Sequence, residues 1–290
     1  MEKLKINTIK NPSLDKKLNY AGQGVNKFPK YVEYVGPFLT WEGITLFTDE
    51  CFNDENLYIF DQITSTYKIA WIHEPRQLNP LQGRRYDNVE KLIKKFDYVM
   101  TYDYHLLSKY PKETIFTVDN AIWINDNFNK IHPKSNFVSM IFSWKNWTEG
   151  HQLRHKIAKQ VEGVSLYGTG AGREIKGKEE GLMDYKYSIV IENSNSPFYF
   201  TEKILDCFAC GTVPIYWGCN NIGEFFNKKG IMSFSEIEDL NTIFETLAKP
   251  NHYEEILPYV KENYQKVQEY NIYEDWIYNN IYKKILKNKI

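Results

Sequence analysis

The sequence predicts an α/β protein with two Rossmann-like halves and a helical C-terminal tail. Its 290 residues correspond to two domains of ordinary size. Short apolar runs rich in β-branched and aromatic residues alternate with helical patterns, as in parallel sheets built from βαβ units. This alternation stops at a polar break over 127–135 and then begins again. We therefore expect one domain over 1–134, a second over 135–260 and a helical tail over 261–290.

The first half is predicted to contain strands, loops and one clear helix. A helix over Asn88–Phe96 is indicated because Val89, Leu92 and Ile93 recur at spacings of three and four residues. Segments rich in Gly, Pro and Asn are predicted to be loops. The strands are expected at Lys5–Ile9, Ile44–Thr48, Leu57–Phe60, Lys68–Ile72, Tyr98–Tyr102 and Thr114–Phe116, and the loops at 21–29 and 77–84.

The second half repeats the alternation of strands and helices and then becomes mostly helical from residue 252 onward. In an open parallel sheet, ligands bind at the carboxyl ends of the strands, so we look for the functional site there. The strands are expected at Phe137–Phe142, Val164–Tyr167, Tyr187–Ile191 and Thr212–Trp217. The helices are expected at Glu149–Val161, Glu179–Tyr185, Thr201–Cys210 and Ile237–Leu247.

Composition excludes several classes of protein. Apolar residues make up 42% and charged residues 25%, which is the mixture of a globular chain and not of a disordered or fibrous one. The net charge of −1 lacks the broad positive field on which non-specific nucleic-acid binding depends. No apolar run approaches the roughly 18 to 20 residues of a membrane span, and the first residues lack the apolar core of a secretory signal. With few cysteines as well, we expect a cytoplasmic protein.

Arginine is scarce in this sequence, whereas lysine is abundant. Surface positive charge is therefore carried mainly by lysine. Each arginine is a candidate for a role in which its planar guanidinium group performs better than an ammonium group, such as binding a phosphate. Aromatic residues reach 16%, a composition common where sugars or flat ligands bind, although most are expected in the core. The five arginines are Arg76, Arg84, Arg85, Arg154 and Arg173.

The densest chemical signal lies in residues 187–218. A four-residue apolar strand ends in Glu192-Asn193-Ser194, Thr201 is a good helix N-cap, and Gly211 stands where a helix C′ glycine belongs. Lys203 then falls in the first helical turn, where free N–H groups and the helix dipole favour an anion. A bound phosphate would explain a lysine there, and a solvated lysine is an equally good interpretation of these residues alone.

This segment resembles the signature of the family-10 glycosyltransferases, the α-1,3/4-fucosyltransferases, and most closely their bacterial branch. The resemblance is strongest from Lys178 to Gly218, roughly 40 residues with many fixed spacings. It implies the GT-B fold, in which two Rossmann-like domains face a cleft. The runs that carry it are Glu192-Asn193-Ser194, Tyr199-Phe200-Thr201-Glu202-Lys203-Ile204-Leu205-Asp206 and Val213-Pro214-Ile215-Tyr216-Trp217-Gly218, preceded by Lys178, Leu182, Tyr185, Lys186 and Tyr187.

The resemblance also implies roles for single residues. Tyr199 would lie beside the donor, Glu202 would bind ribose hydroxyls, and Lys203 would touch the diphosphate. Asn193 would face the donor sugar or phosphate, and Arg154 would be a second diphosphate ligand. Two further residues complete the expected donor site. These are Glu192, at the end of the strand, and Arg173, for which a plain turn is the stronger interpretation.

Glu74 is the best match to the family's general base, a first-domain glutamate. It follows the buried run Ala70-Trp71-Ile72, at the carboxyl end of a predicted strand. Taken without the resemblance, it is more readily an edge-strand carboxylate that precedes a proline turn. His73 beside it would either hold the base in place or cap the strand.

The resulting hypothesis is an inverting fucosyltransferase that moves L-fucose from GDP-β-L-fucose to a glycan hydroxyl. Because none of the aspartates forms an Asp-x-Asp pair, fixed cations are expected to replace a divalent metal, and no cofactor is expected. The partners would be a nucleotide sugar and a glycan acceptor, without nucleic acid or a transmembrane segment. The alternatives are the same fold with another nucleotide-sugar donor, or a non-catalytic glycan- or nucleotide-binding module.

Three other signals carry weaker alternatives. Cys207 and Cys210 resemble part of a zinc site, but core packing of small thiols is favoured. His151 and His155 have the spacing of a two-histidine metal face, but a solvated or acceptor-side helix is favoured. Weak contact of the tail with an anionic membrane competes with a solvated helix end. The tail lysines concerned are Lys283, Lys284, Lys287 and Lys289.

Overall fold

The computed structural model describes residues 2–10, 18–21, 25–118 and 121–287. The chain divides into two compact units, one formed by 1–119 together with 272–290 and the other by 120–271. Each unit has its own parallel sheet and its own hydrophobic core.

In the described part of the first unit, six parallel strands form one sheet in the order β2-β1-β3-β4-β5-β6. Residues of these strands, such as Phe47, Ala70 and Val99, are fully buried in the core. These residues lie on one face, and Leu46, Ile69 and Met100 on the other face are also buried, so both faces of the sheet are covered, as expected of a parallel sheet. The strands are β1 (Leu4–Ile9), β2 (Val32–Val35), β3 (Thr40–Thr48), β4 (Thr64–Trp71), β5 (Tyr98–Thr101) and β6 (Thr114–Phe116).

Three short helices connect the strands of this unit: α1 (Ile59–Gln62), α2 (Pro80–Lys91) and α3 (Tyr104–Lys109). The longest, α2, begins where Asn79 accepts a hydrogen bond from the backbone N–H of Gln82, with Pro80 at its first position. Its buried side chains Tyr86 and Val89 pack on the sheet. This packing fixes the loop between β4 and α2, in which Glu74 lies.

In the second unit, the described residues form a five-stranded parallel sheet in the order β11-β10-β9-β7-β8. The order reverses between β7 and β9, which is where a Rossmann-like sheet opens a crevice for ligands. The strands are β7 (Asn136–Ile141), β8 (Ser165–Tyr167), β9 (Tyr185–Ile191), β10 (Val213–Trp217) and β11 (Met232–Ser233). The helices are α4 (Glu149–Gln160), α5 (Glu202–Ala209), α6 (Asp239–Leu247) and α7 (His252–Val267).

Helix α5 matches its sequence signals closely. Thr201 is its N-cap and accepts from the N–H of Lys203. Gly211 follows the helix with a φ of 68°, which L side chains rarely adopt. A Cβ at Gly211 would also lie 2.8 Å from a carbon of Ile131. The glycine therefore ends the helix and admits a close neighbour.

The predicted domain boundaries at 134 and 260 differ from the observed division. The last helices, α8 (Tyr273–Ile277) and α9 (Lys283–Lys287), belong to the first unit and form no separate tail. The carboxylate of Glu274 accepts from the N–H of Ala21 at 2.8 Å, and Asp275 accepts from the N–H of Lys30 at the same distance. These contacts join residues some 250 positions apart, which local patterns could not reveal.

Several predicted elements are wrong. Residues 59 and 60 of the predicted strand Leu57–Phe60 are helical in α1, and their apolar side chains fit the core equally well in either state. The predicted loop at 77–84 contains the start of α2, because Pro80 begins that helix instead of breaking it. The predicted helix over Glu179–Tyr185 is a 3-10 turn over Lys178–Gly181, followed by β9. Residues 22–24 of the other predicted loop, and Lys289, lie outside the described residues.

Candidate functional site

A cavity of about 290 Å³ lies in the second unit, where β7, β8 and β9 end and α5 begins. Its lining includes the apolar residues Ile141, Phe142, Ile175, Leu182 and Ile189. The same lining carries the charged groups Arg154, Lys178, Glu202, Lys203 and Asp206. A pocket with an apolar wall and a few converging charges has the character of a small-molecule site.

Glu192 holds the start of α5 in place. Its side chain is fully buried, and its two carboxylate oxygens accept from the N–H of Thr201 at 2.9 Å and from the Thr201 hydroxyl at 2.7 Å. The ammonium of Lys203 lies 3.5 Å from the same carboxylate. Glu192 therefore ties the end of β9 to the first turn of α5.

Lys203 lies beside the positive end of the helix dipole, where a cation is unfavourable unless it is compensated. Its ammonium donates to the Thr201 hydroxyl at 3.0 Å and lies 3.4 Å from the Glu202 carboxylate. A quarter of the side chain is exposed, and it lines the cavity. The ammonium group is thus held by buried partners on a side chain that remains partly exposed.

Arg154 provides a buried positive charge at the same cavity, and it is 6% exposed. Its guanidinium donates to the backbone oxygen of Ile191, and at 3.0 Å to the side-chain oxygen of Asn193. Both acceptors are neutral. Burial lowers the pKa of this guanidinium, and the nearby carboxylate of Glu192 opposes the shift. A buried arginine hydrogen-bonded to neutral oxygens at a cavity wall is suited to bind an anion.

Gly150 allows α4 to bring Arg154 to this position. Its N–H donates to the backbone oxygen of Asn193 at 3.3 Å, and a Cβ added to it would lie 1.7 Å from the backbone oxygen of Glu192. Only glycine permits this approach of helix to strand end. Arg154 lies one helical turn further along the same face.

His151 is part of a capping box at the start of α4, so the expectation of a solvated histidine is wrong for this residue. It is 4% exposed, and its Nδ1 accepts from the N–H of Thr148 at 3.2 Å. Burial, followed by the charge of Arg154, lowers its pKa to about 4. His155 lies apart from it, with Nε2 hydrogen-bonded to the backbone oxygen of Lys145.

Sequence reasoning gave no role to two residues of this site, Lys178 and Asp206. The ammonium of Lys178 donates to the Glu202 carboxylate at 3.1 Å and to the Asp206 carboxylate at 2.9 Å. Burial by itself raises the pKa of the Glu202 carboxyl, but Lys178 and Lys203 outweigh burial and hold it well below its usual range. Lys178 and Asp206 belong to the recognised motif, yet spacing alone could not show that they meet.

Four of the seven expected donor residues lie outside the lining of the cavity, namely Glu192, Asn193, Tyr199 and Arg173. Tyr199 is 1% exposed and is packed in the loop between β9 and α5. Arg173 is exposed, and its guanidinium lies 3.9 Å from the ring centroid of Tyr167. Asn193 adjoins the cavity through Arg154.

Glu74 lies in the first unit, on the loop that follows β4, and its side chain is exposed. The backbone oxygen of Glu74 accepts from Gln82 Nε2 at 3.1 Å and from the Tyr86 hydroxyl at 3.0 Å. The loop is thus anchored to α2. Its position at the carboxyl end of a buried strand is the one that the sequence predicted.

Other features of the described residues bear on the weaker signals. The four cysteines are buried free thiols, in agreement with core packing of Cys207 and Cys210. Within the described ranges, no three His, Cys, Asp or Glu side chains converge as a metal site would require. None of the helices in those ranges has both the length and the apolar character needed to cross a bilayer.

The chain was compared with known proteins. Residues 131–288 match the model of the glycosyltransferase family 10 (fucosyltransferase) C-terminal region. An α-(1,3)-fucosyltransferase of Helicobacter pylori is 33% identical over 109 residues, which are 38% of this chain and 20% of that protein. A human 4-galactosyl-N-acetylglucosaminide 3-α-L-fucosyltransferase is 28% identical over 125 residues, 41% of this chain and 33% of that protein. The matched segments thus span a third or less of these relatives.

Solved structures support the fold. An α1,3-fucosyltransferase solved with GDP superposes with a TM-score of 0.56 at 16% identity, over 92% of this chain and 88% of that one. TarM superposes with a TM-score of 0.51 at 14% identity, over 84% of this chain and 54% of that one. The two parallel α/β units therefore have the GT-B fold. Because the family model covers more than half of the 290 residues, the chain belongs to glycosyltransferase family 10, the fucosyltransferases.

Proposed function

We propose that this protein transfers L-fucose from GDP-β-L-fucose to a glycan hydroxyl with inversion at the anomeric carbon. The observation that carries the proposal is the buried guanidinium of Arg154, bonded to neutral oxygens beside a cavity that Lys203 also lines. A leaving group such as GDP, whose diphosphate gains a negative charge as the bond to the sugar breaks, would supply the negative charge that this pair of cations can bind. Family membership and the solved relative with GDP support the choice of nucleotide.

In this proposal, Arg154 and Lys203 stabilise the diphosphate as the bond to the sugar breaks. The ammonium of Lys203 would exchange its contacts with Thr201 and Glu202 for phosphate oxygens. Glu202, which is held as a carboxylate, would accept from ribose hydroxyls. Asn193 would be directed by Arg154 toward the donor. Fixed cations of this kind take the part that a divalent metal has in other transferases, so we expect activity without added metal.

Glu192 and Tyr199 are assigned supporting roles, and Arg173 is expected to contribute little to donor binding. The buried Glu192 carboxylate would hold the start of α5 in position. It would not touch the donor, because both of its oxygens accept hydrogen bonds from Thr201. Tyr199 would shape the donor site through the packing of its loop. Arg173 would reach a phosphate only by leaving the ring of Tyr167.

Glu74 is the proposed general base. It would accept the proton of the acceptor hydroxyl as that oxygen attacks the anomeric carbon from the face opposite the diphosphate. One displacement with a single base inverts the anomeric centre, so a β-linked donor gives an α-linked product. The exposed side chain and the anchored loop of Glu74 suit this task.

Transfer and binding can be measured separately in Glu74→Gln. We expect calorimetry to give the wild-type affinity for GDP, while the rate of fucose transfer falls by about 10²- to 10⁴-fold, the usual effect of a lost general base. Wild-type protein without turnover on any acceptor of a glycan array would instead indicate a binding module. Unchanged transfer by Glu74→Gln would remove Glu74 from the mechanism.

A thermal-shift screen of nucleotide sugars tests the donor. GDP-fucose should raise the melting temperature by mass action, with and without EDTA. A larger shift with UDP- or CMP-sugars would identify another donor on the same fold, and loss of the shift in EDTA would show that a metal is needed.

A further inference from the structure

Lys178 is the centre of a buried charge cluster beside the cavity. Its ammonium lies between the carboxylates of Glu202 and Asp206, at 3.1 Å and 2.9 Å, and 4.7 Å from the ring centroid of Trp123. The backbone N–H of Trp123 donates to the other oxygen of Asp206 at 2.7 Å. The 3-10 turn that carries Lys178, helix α5 and the segment around Trp123 therefore meet at this one ammonium group.

The cluster continues toward the helix start as an alternation of charges. Asp206 pairs with Lys178, Lys178 with Glu202, Glu202 with Lys203, and Lys203 with Glu192. Three acids and two bases alternate, so the series carries one excess negative charge, and Arg154 at the same cavity carries the compensating positive one. Removing Lys178 would leave two excess negative charges in the series.

Asp206 cannot relieve this imbalance by turning away. It is fully buried, and Trp123 holds one of its oxygens in place. Glu202 lies four residues earlier on α5, so the two carboxylates share one face of the helix. Without a cation between them, they would repel each other and any anion that enters the cavity.

We propose that Lys178 is a positioning residue of the nucleotide site: it neutralises Asp206 and holds the Glu202 carboxylate at the cavity wall, so that the wall accepts a nucleoside diphosphate. This inference rests on the proposed function. Lys178 acts through the two acids and does not contact the phosphates, because two carboxylates and an aromatic face already surround its ammonium.

A double-mutant cycle tests the inference. Lys178→Met, Asp206→Asn and the double variant are compared with wild type by calorimetry, using GDP and guanosine as probes. Asparagine keeps an acceptor for the Trp123 N–H and removes the charge. Lys186→Met, which breaks the exposed pair of Lys186 with Glu254, is the matched control.

In Lys178→Met we expect GDP affinity to fall about tenfold or more, and guanosine affinity by less than about threefold, because the penalty acts on the phosphates. In the double variant, GDP affinity should return to within about threefold of wild type, since no unpaired acid remains. If Lys178→Met does not fold, the charge-balanced double variant should still fold and bind GDP.

Three results would overturn the inference. A double variant as weak as Lys178→Met would mean that Lys178 touches the phosphates itself. Equal losses for GDP and guanosine would indicate general damage to the cavity, and wild-type affinity in Lys178→Met would remove the residue from the site. Absence of GDP binding in wild type would overturn the proposed function as well, whereas binding without coupling would overturn this inference alone.

Discussion

The two ends of helix α5 use lysine in different ways. At the first turn, Lys203 and Lys178 pair with carboxylates and line a cavity. Past the last turn, the ammonium of Lys134 donates to the backbone oxygens of Met183 and Cys210, each at 2.8 Å, and to the Thr212 hydroxyl at 3.0 Å. Burial lowers the pKa of Lys134 to about 8.

We propose that the difference separates a binding role from a structural one. A cation at the C-terminal end of a helix is favoured by the dipole and satisfies carbonyls that have no partner in the helix. The cations at the N-terminal end oppose the dipole and depend on acids that surround them, and we propose that an incoming anion takes over some of the contacts of Lys203. We therefore expect changes at the first end to affect ligand binding, and changes at the second to affect stability.

The largest effect is expected at the ligand end, from Arg154→Met. Loss of a buried cation that pairs with an anionic ligand costs about 3 kcal/mol, so GDP affinity should fall about 100-fold in calorimetry. Arg173→Ala is the matched arginine control, and its GDP affinity should stay within about threefold of wild type. If the two variants lost affinity equally, Arg173 would be a phosphate ligand and not a partner of Tyr167.

At the other end of the helix, Lys134→Met should lower the free energy of unfolding by about 3 kcal/mol, because buried oxygens lose their donor. Urea denaturation measures this change. GDP affinity of the folded variant should remain that of wild type. An exposed lysine, changed in Lys186→Met, should cost less than about 1 kcal/mol. A loss of GDP affinity in Lys134→Met without a loss of stability would contradict the assignment of a structural role to the C-terminal end of α5.

The start of α4, at the same cavity, makes a pH-dependent contribution through His151. Its pKa is about 4 in the folded protein, below the ordinary value of 6.5, so the unfolded chain binds a proton at a higher pH than the folded one. The stabilisation is complete above pH 6.5 and is lost as the pH falls toward 4, an effect of about 3 kcal/mol.

His151→Gln provides the comparison, because glutamine can complete a capping box without titrating. Denaturation at several pH values should show that wild type loses more stability than the variant between pH 6.5 and 4. If the free energy of unfolding changed equally with pH in the two proteins, His151 would have the same pKa in the folded and the unfolded chain.

The smallest effect is expected at the start of α2 in the first unit, where the cap accepts a single hydrogen bond from its own helix. Asn79→Ala removes the acceptor of the Gln82 N–H and should lower the free energy of unfolding by about 1 kcal/mol. Asn79→Ser, which keeps a capping oxygen, should recover most of this loss in the same urea titration. A large effect on fucose transfer would show that this helix start also has a catalytic task.

Most elements of the second unit could be predicted because their signals are local. The apolar run before Glu192 gives β9, Thr201 caps α5, and Gly211 ends it. The first unit was harder, since short apolar segments such as Leu57–Phe60 fit a buried strand and a buried helix alike. Helix α8 belongs to the first unit through contacts of Glu274 and Asp275 with residues near the N-terminus. Local sequence patterns could not predict this placement, because the contacting residues are far apart in the chain.

By itself, the sequence predicted the family and the segment proposed to carry the donor site, because Glu202 and Lys203 belong to a pattern with fixed spacing. Only the tertiary structure decided what these charges do. It separated the Glu192 carboxylate that holds the helix, the Arg154 guanidinium that donates to neutral oxygens, and the Lys178 ammonium between two acids. The physical reason is that the effect of a charge depends on its burial and its neighbours, and residues far apart in the chain supply both.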